Sequence, residues 1–285
     1  MTSLDAATFL LQWATGGLAF LWVTTRRREV GLGYGWLMRS TYGLMALGAL
    51  YVGLVVIDTV PVREAASAGV VLASGVALAV SIVRRGAGVA GQTALADARS
   101  ERVAAMTGID RAPAAKDATA KEFPPVLDAV APIVGMVGVV AAAVAAGDQV
   151  PLTVARFVVG ALFLGAVTDA MLLGHWYLVQ PGLPRAPLLE LVRWSTNLTI
   201  PEIALLLVPT GMVSVFVGDI DDSYGGMLGW FWAACAVTTL GLLITTRLAL
   251  RERQYSAVMA ATGLLYLAIL TAFGTDLVAR ALLRS

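Results

Sequence analysis

Two carboxylates, Asp169 and Glu202, stand inside long apolar stretches on either side of the chain's one histidine, His175, which is followed directly by Trp176 and Tyr177. An ionisable group in hydrocarbon is expensive and marks a proton, ion or ligand site by default. Asp169 lies about six residues from the end of its apolar segment and Glu202 a similar distance into the next, so at 1.5 Å per residue both are ~9 Å deep. Consecutive helices are usually neighbours. The expectation is that the two carboxylates approach one another and are coupled, so that they are not both ionised. The bland alternative is that each is satisfied separately by a polar side chain from another helix.

His175 is six positions from Asp169, which puts the two about 120° apart around a helix, whereas Trp176 shares the face of Asp169. The histidine is therefore expected at the membrane interface, bonded to backbone or lipid, or acting at a quinone head group or proton entry. Trp176 and Tyr177 could contact the same ligand, or simply sit in the aromatic belt that favours interfaces. One histidine offers no bis-histidine pair, so haem ligation through His175 is disfavoured. No cofactor is specified, and a quinone is the one the pattern best accommodates.

Three further residues complete the candidate set. Arg39 is expected to snorkel to water or to reach Asp169 and Glu202. Arg156 and Asp276 sit at matching depths near the opposite ends of their segments, as does Asp58, and suggest a structural ion pair. Pro201 precedes Glu202 and removes a backbone hydrogen bond beside it. Cys235 is alone in an apolar segment and reads as a small buried hydrophobe. The chain lacks HExxH, a phosphate-binding GxxxxGK and a metal-spaced histidine cluster, so neither a metal site nor an enzyme is indicated.

The elements that must hold these residues follow from composition. Of 285 residues, 58% are hydrophobic and 14% charged, against about a quarter charged in soluble domains. A net charge of +1 gives no general attraction to nucleic acid. The apolar residues form eight segments near the ~20-residue length of a membrane span: roughly 7–25, 34–57, 66–83, 126–146, 152–178, 189–217, 227–248 and 256–279. The expected fold is an all-α integral membrane protein of about eight helices in one domain, residues 1–285.

With the N-terminus outside, fifteen basic residues face the cytoplasm and three face out, with Arg39 and Arg156 in or near helices. That asymmetry sets an N-out, C-out frame. It makes residues 84–122 a cytoplasmic loop, in which Thr93–Met106 could form a surface helix with Leu95, Val103 and Met106 on one side. The tracts WVTTRRRE and LITTRLALRER echo one another and suggest repeated out–in–out hairpins. The N-terminus has no positive region ahead of its apolar run, so the first segment reads as a retained span.

The reading that joins these features is a non-enzymatic subunit or accessory protein of an energy-converting complex, respiratory or photosynthetic in type, in a bacterial-type inner membrane. It would contact lipid and other membrane subunits, and its inner-leaflet polar site would take a proton or a quinone-like ligand. The alternatives are a proton-coupled small-molecule carrier and a purely structural helix bundle.

Overall fold

The computed structural model describes residues 5–107, 121–146, 149–180, 183–208, 211–252 and 254–283, without the side chains of residues 95, 99, 100 and 102–107. Every regular element among them is helical. In chain order these are α1 (Ala6–Thr25), α2 (Leu32–Val55), α3 (Pro61–Val83), α4 (Ala90–Thr107), α5 (Leu127–Ala146), α6 (Val150–Val179), α7 (Ala186–Leu207), α8 (Gly211–Val217), α9 (Met227–Ala249) and α10 (Tyr255–Leu282). A short 3-10 turn, Arg84–Ala87, follows α3.

Among the described residues six helices are long and apolar enough to cross a membrane: α1, α3, α5, α6, α9 and α10. The bent pair α7 and α8 makes a seventh if it is one span. The protein is therefore a multi-pass membrane protein that contacts lipid. Its exposed surface carries the expected apolar side chains, among them Leu44, Leu72, Ile133, Val237 and Leu270.

Helices α1 and α6 form the centre. Helix α1 packs against α2, α5 and α6, while α6 packs against α1, α5, α7 and α10. Helices α2, α3 and α5 close one flank; α7, α9 and α10 close the other. Small residues decide how closely the two central helices meet. A Cβ placed on Gly16 would lie 1.8 Å from the Ala161 carbonyl oxygen, and one on Gly165 would lie 2.1 Å from the Gly16 carbonyl carbon. The backbones touch, as small residues permit in membrane helices.

Arginines gather at one end of the bundle: Arg26, Arg27 and Arg28 after α1, Arg84 and Arg85 after α3, and Arg185, Arg247 and Arg251 in the later turns. Asp5, Asp58, Asp219, Asp221 and Asp222 lie at the other end. There Asp5 caps α1, accepting from the Thr8 backbone N–H at 2.6 Å, and pairs with Arg63 at 2.8 Å. At the arginine end α4 docks under the first turn, the Gly91 N–H donating to the Arg28 carbonyl at 3.1 Å.

Helix α4 covers the expected Thr93–Met106 segment. The side chains of Leu95, Val103 and Met106 lie outside the described residues, as do residues 108–120 of the 84–122 loop and the Pro181–Gly182 turn. The apolar segment expected to run unbroken over 189–217 is instead α7 followed by α8. The reason is local: Val208 precedes Pro209 and is extended, with φ −98° and ψ 154°, because a following proline disfavours the helical conformation.

Candidate functional site

Asp169 is wholly buried on α6. The Tyr42 hydroxyl on α2 donates to its Oδ1 at 2.5 Å. Among the described residues its Oδ2 accepts no hydrogen bond and enters no ion pair. One turn below Asp169 on the helix, Gly165 admits α1; on α1, Gly17 makes room for Tyr42, whose ring carbon Cζ would be 1.9 Å from a Cβ there. The Gly16–Gly17 pair thus presses α1 onto α6 with one residue and admits the tyrosine beside it with the other.

A second tyrosine belongs to this centre. Tyr34, two turns before Tyr42 on α2, is fully buried, its hydroxyl makes no hydrogen bond among the described residues, and it lies within electrostatic reach of Asp169. Its ring meets Trp176 with centroids 6.0 Å apart. Trp176 donates through Nε1 to Gln180 Oε1 at 3.0 Å. The sequence placed Trp176 on the face of Asp169, and in the structure both residues meet tyrosines of α2. What periodicity alone did not single out is the pair Tyr34 and Tyr42, buried polar residues eight apart in a segment read only as a span.

His175 points elsewhere. It is exposed, and its Nδ1 lies 3.0 Å from the Tyr266 hydroxyl of α10, with the two rings edge to face. Tyr177 is buried; its hydroxyl donates to the Pro184 carbonyl, and its own carbonyl accepts from the Tyr255 hydroxyl at 3.2 Å. The three adjacent residues therefore face three surroundings. Tyr177 ties the α6–α7 turn to α10, and the exposed edge is left to His175.

Glu202 does not meet Asp169. Counting from the arginine end, Asp169 is ten residues in from the last residue of α6 (179 − 169) and Glu202 sixteen in from the first residue of α7 (202 − 186). Six residues amount to ~9 Å of depth. Glu202 lies instead with Asp276 and Arg280 over Gly160, nine residues before Asp169 on α6. A Cβ on Gly160 would be 3.0 Å from Arg280 Nη2, 3.3 Å from Asp276 Oδ1 and 3.6 Å from Glu202 Oε2. Glu202 is 1% exposed and its Oε2 has no hydrogen-bond partner among the described residues.

The expected pairing of Arg156 with Asp276 or Asp58 is replaced. Asp276 pairs with Arg280 one turn along α10 at 2.8 Å, and Arg280 also donates to Gln12 Oε1 of α1 at 2.7 Å. Arg156 donates to the Leu205 carbonyl at 2.8 Å and to the Val208 carbonyl. Those are orphan carbonyls at the end of α7, which the proline break leaves without helical donors.

Arg39 neither snorkels nor reaches Asp169. It is 2% exposed and forms a fork with Asp128, Nε to Oδ1 at 2.7 Å and Nη2 to Oδ2 at 2.8 Å. Ser81 lies 3.3 Å from Nη1, Thr25 donates to Asp128 at 2.8 Å, and the Phe123 ring faces the guanidinium at 4.3 Å. Asp128 escaped notice because it opens an apolar segment, just after Pro124 and Pro125. The signal was available: a carboxylate in the first turn of a span, and a buried arginine needing one.

Among the described residues no group of three or more His, Cys, Asp or Glu side chains could hold a metal ion. Comparison of the chain with protein families, with curated proteins and with solved structures finds no match.

Proposed function

We propose that the chain is an accessory subunit of an energy-converting membrane complex and that Asp169 holds an exchangeable proton within it. The observation that carries this reading is the state of the carboxyl: fully enclosed, given one hydrogen bond by Tyr42, and left with one oxygen bare. An isolated carboxylate without a counter-ion costs far more in such surroundings than a neutral acid. Tyr34 and Trp176, whose rings meet, stand between Asp169 and the arginine end, the side from which a proton would enter. A proton fits this enclosed place without moving any side chain. A quinone-like head group would need the exposed edge at His175 and Tyr266.

The frame of the proposal is eight spans with both termini outside, in a bacterial-type inner membrane. Helix α2 supplies the eighth. It is 24 residues long, its Arg39 pairs at the end of the bundle where α1 finishes, and its Gly53 abuts Glu64 and Arg63 beside the start of α1. The arginine end is then cytoplasmic by the positive-inside rule.

Purification of the full chain from native membranes in mild detergent tests the assignment. Partner chains that stay bound in stoichiometric amount, with proton-coupled turnover of that assembly reduced tenfold or more by Asp169→Asn, are the expected result. A chain that purifies alone and carries a solute with protons is a carrier. Unchanged turnover in Asp169→Asn would leave only a structural bundle.

A further inference from the structure

Between the end of α1 and the first half of α7 lies a cavity of about 360 Å³, lined by Arg27, Leu189, Glu190, Arg193, Trp194 and Asn197 among others. Glu190 is shared by two guanidiniums: Arg26, and Arg27 at 2.8 Å. Arg193, one turn after Leu189 on α7, is exposed and makes none of the described ion pairs. Three guanidiniums against one carboxylate leave two positive charges at the mouth of the cavity.

The other wall is apolar. Trp194 is 44% exposed, and its ring packs edge to face against Phe20 of α1, centroids 6.0 Å apart. Trp194 follows Arg193 directly on α7, with Leu189 one turn nearer the arginine end and Asn197 about one turn deeper than the indole. A ligand that meets both the guanidiniums and the exposed indole has an anionic head beside an apolar part, which is the make-up of an anionic membrane lipid. Clusters of Lys and Arg beside spans recognise anionic head groups, and an arginine fork matches phosphate in two-point contact.

We propose that this cavity is a binding site for an anionic phospholipid of the leaflet at the arginine end, its phosphate held by Arg193 and Arg27 and its acyl chains lying against the exposed Trp194. The site is separate from the Asp169 centre and does not depend on the role given to that carboxyl. Glu190 tunes it. The carboxylate holds Arg26 and Arg27 in place but also cancels part of their attraction.

The test is native mass spectrometry of the purified full chain after exchange into micelles doped with phosphatidylglycerol or phosphatidylcholine. The expected result is retention of at least one phosphatidylglycerol and no comparable retention of phosphatidylcholine. Arg193→Ala should weaken that retention tenfold or more, and Glu190→Gln should strengthen it. Arg251→Ala, at the same end but outside the cavity, should leave it unchanged. Because Arg193 is exposed and makes no ion pair among the described residues, its loss does not threaten folding, and an unaltered melting curve verifies this. Equal retention of both lipids, insensitivity to Arg193→Ala, or full displacement of the lipid by millimolar inorganic phosphate would overturn the proposal; the last outcome would make the ligand a free anion.

Discussion

The hydroxyl of Tyr42 stands 2.5 Å from Oδ1 of Asp169, joining α2 to α6 at the level where both helices have run ten residues from the arginine end. The contact passes beside α1, whose Gly17 has no side chain to block it. Three helices are thus fixed by one polar bond and one missing Cβ.

Tyr42→Phe removes the one hydrogen bond given to Asp169 while keeping the ring that fills the space over Gly17. Leaving a buried acceptor unsatisfied costs about 1–3 kcal/mol. A lowered melting temperature in detergent, with the helical circular-dichroism signal intact, is the outcome expected from a thermal scan of this variant beside the parent.

Gly16→Ala should be worse than its size suggests, because the new methyl meets backbone rather than a movable side chain. Overpacking of this kind costs about 1–3 kcal/mol or more. Gly75→Ala is the control, since nothing lies within 4 Å of a Cβ there. Detergent stability of the two variants should diverge, Gly75→Ala matching the parent and Gly16→Ala losing folded protein.

Breaking the Arg39–Asp128 fork should be costly and restoring neutrality should be cheap. Removing one partner of a buried pair costs about 3–5 kcal/mol, whereas an apolar replacement of both is often neutral. The single variants Arg39→Met and Asp128→Leu should each unfold earlier than the double variant. Additive losses in this double-mutant cycle would mean that the two residues act independently.

The loop between α8 and α9 offers a pH dependence. Asp222 accepts from the Tyr224 and Gly226 N–H groups through Oδ1, at 2.9 and 2.8 Å, and from Leu228 through Oδ2 at 2.8 Å. These donors, Gly226 foremost, hold its carboxyl below the usual carboxylate range. A depressed folded-state value means that the loop's stabilisation is fully present above the unfolded value of about 3.9 and is lost as pH falls through the folded one. Protection factors of the loop amides should fall below about pH 4, and Asp222→Asn should remove that dependence.

The legible part of this chain was whatever periodicity and hydropathy control. Helical geometry put Trp176 on the face of Asp169 and turned His175 away, and both residues stand so. The helical, membrane-spanning class followed from apolar length alone. Pairing was not legible, because it depends on which helices meet and at what depth. Glu202 was matched to Asp169 on the assumption of one long span over 189–217. In the structure Asp169 is ten residues from the end of α6 and Glu202 sixteen from the start of α7, so Glu202 lies six residues deeper, with Asp276 and Arg280. Asp128 was hidden for the converse reason: it opens a span whose remaining residues are apolar, and only the fold brings Arg39 to it.

Infrared difference spectroscopy across a pH titration addresses the central claim most directly, through the carboxylic C=O stretch above the amide region. The account predicts a band from an enclosed protonated carboxyl that disappears in Asp169→Asn, shifts in frequency in Tyr42→Phe, where the hydrogen bond is lost, and persists in His175→Ala. Spectra of Asp169→Asn indistinguishable from those of the parent at every pH would contradict it, for Asp169 would then carry no exchangeable proton.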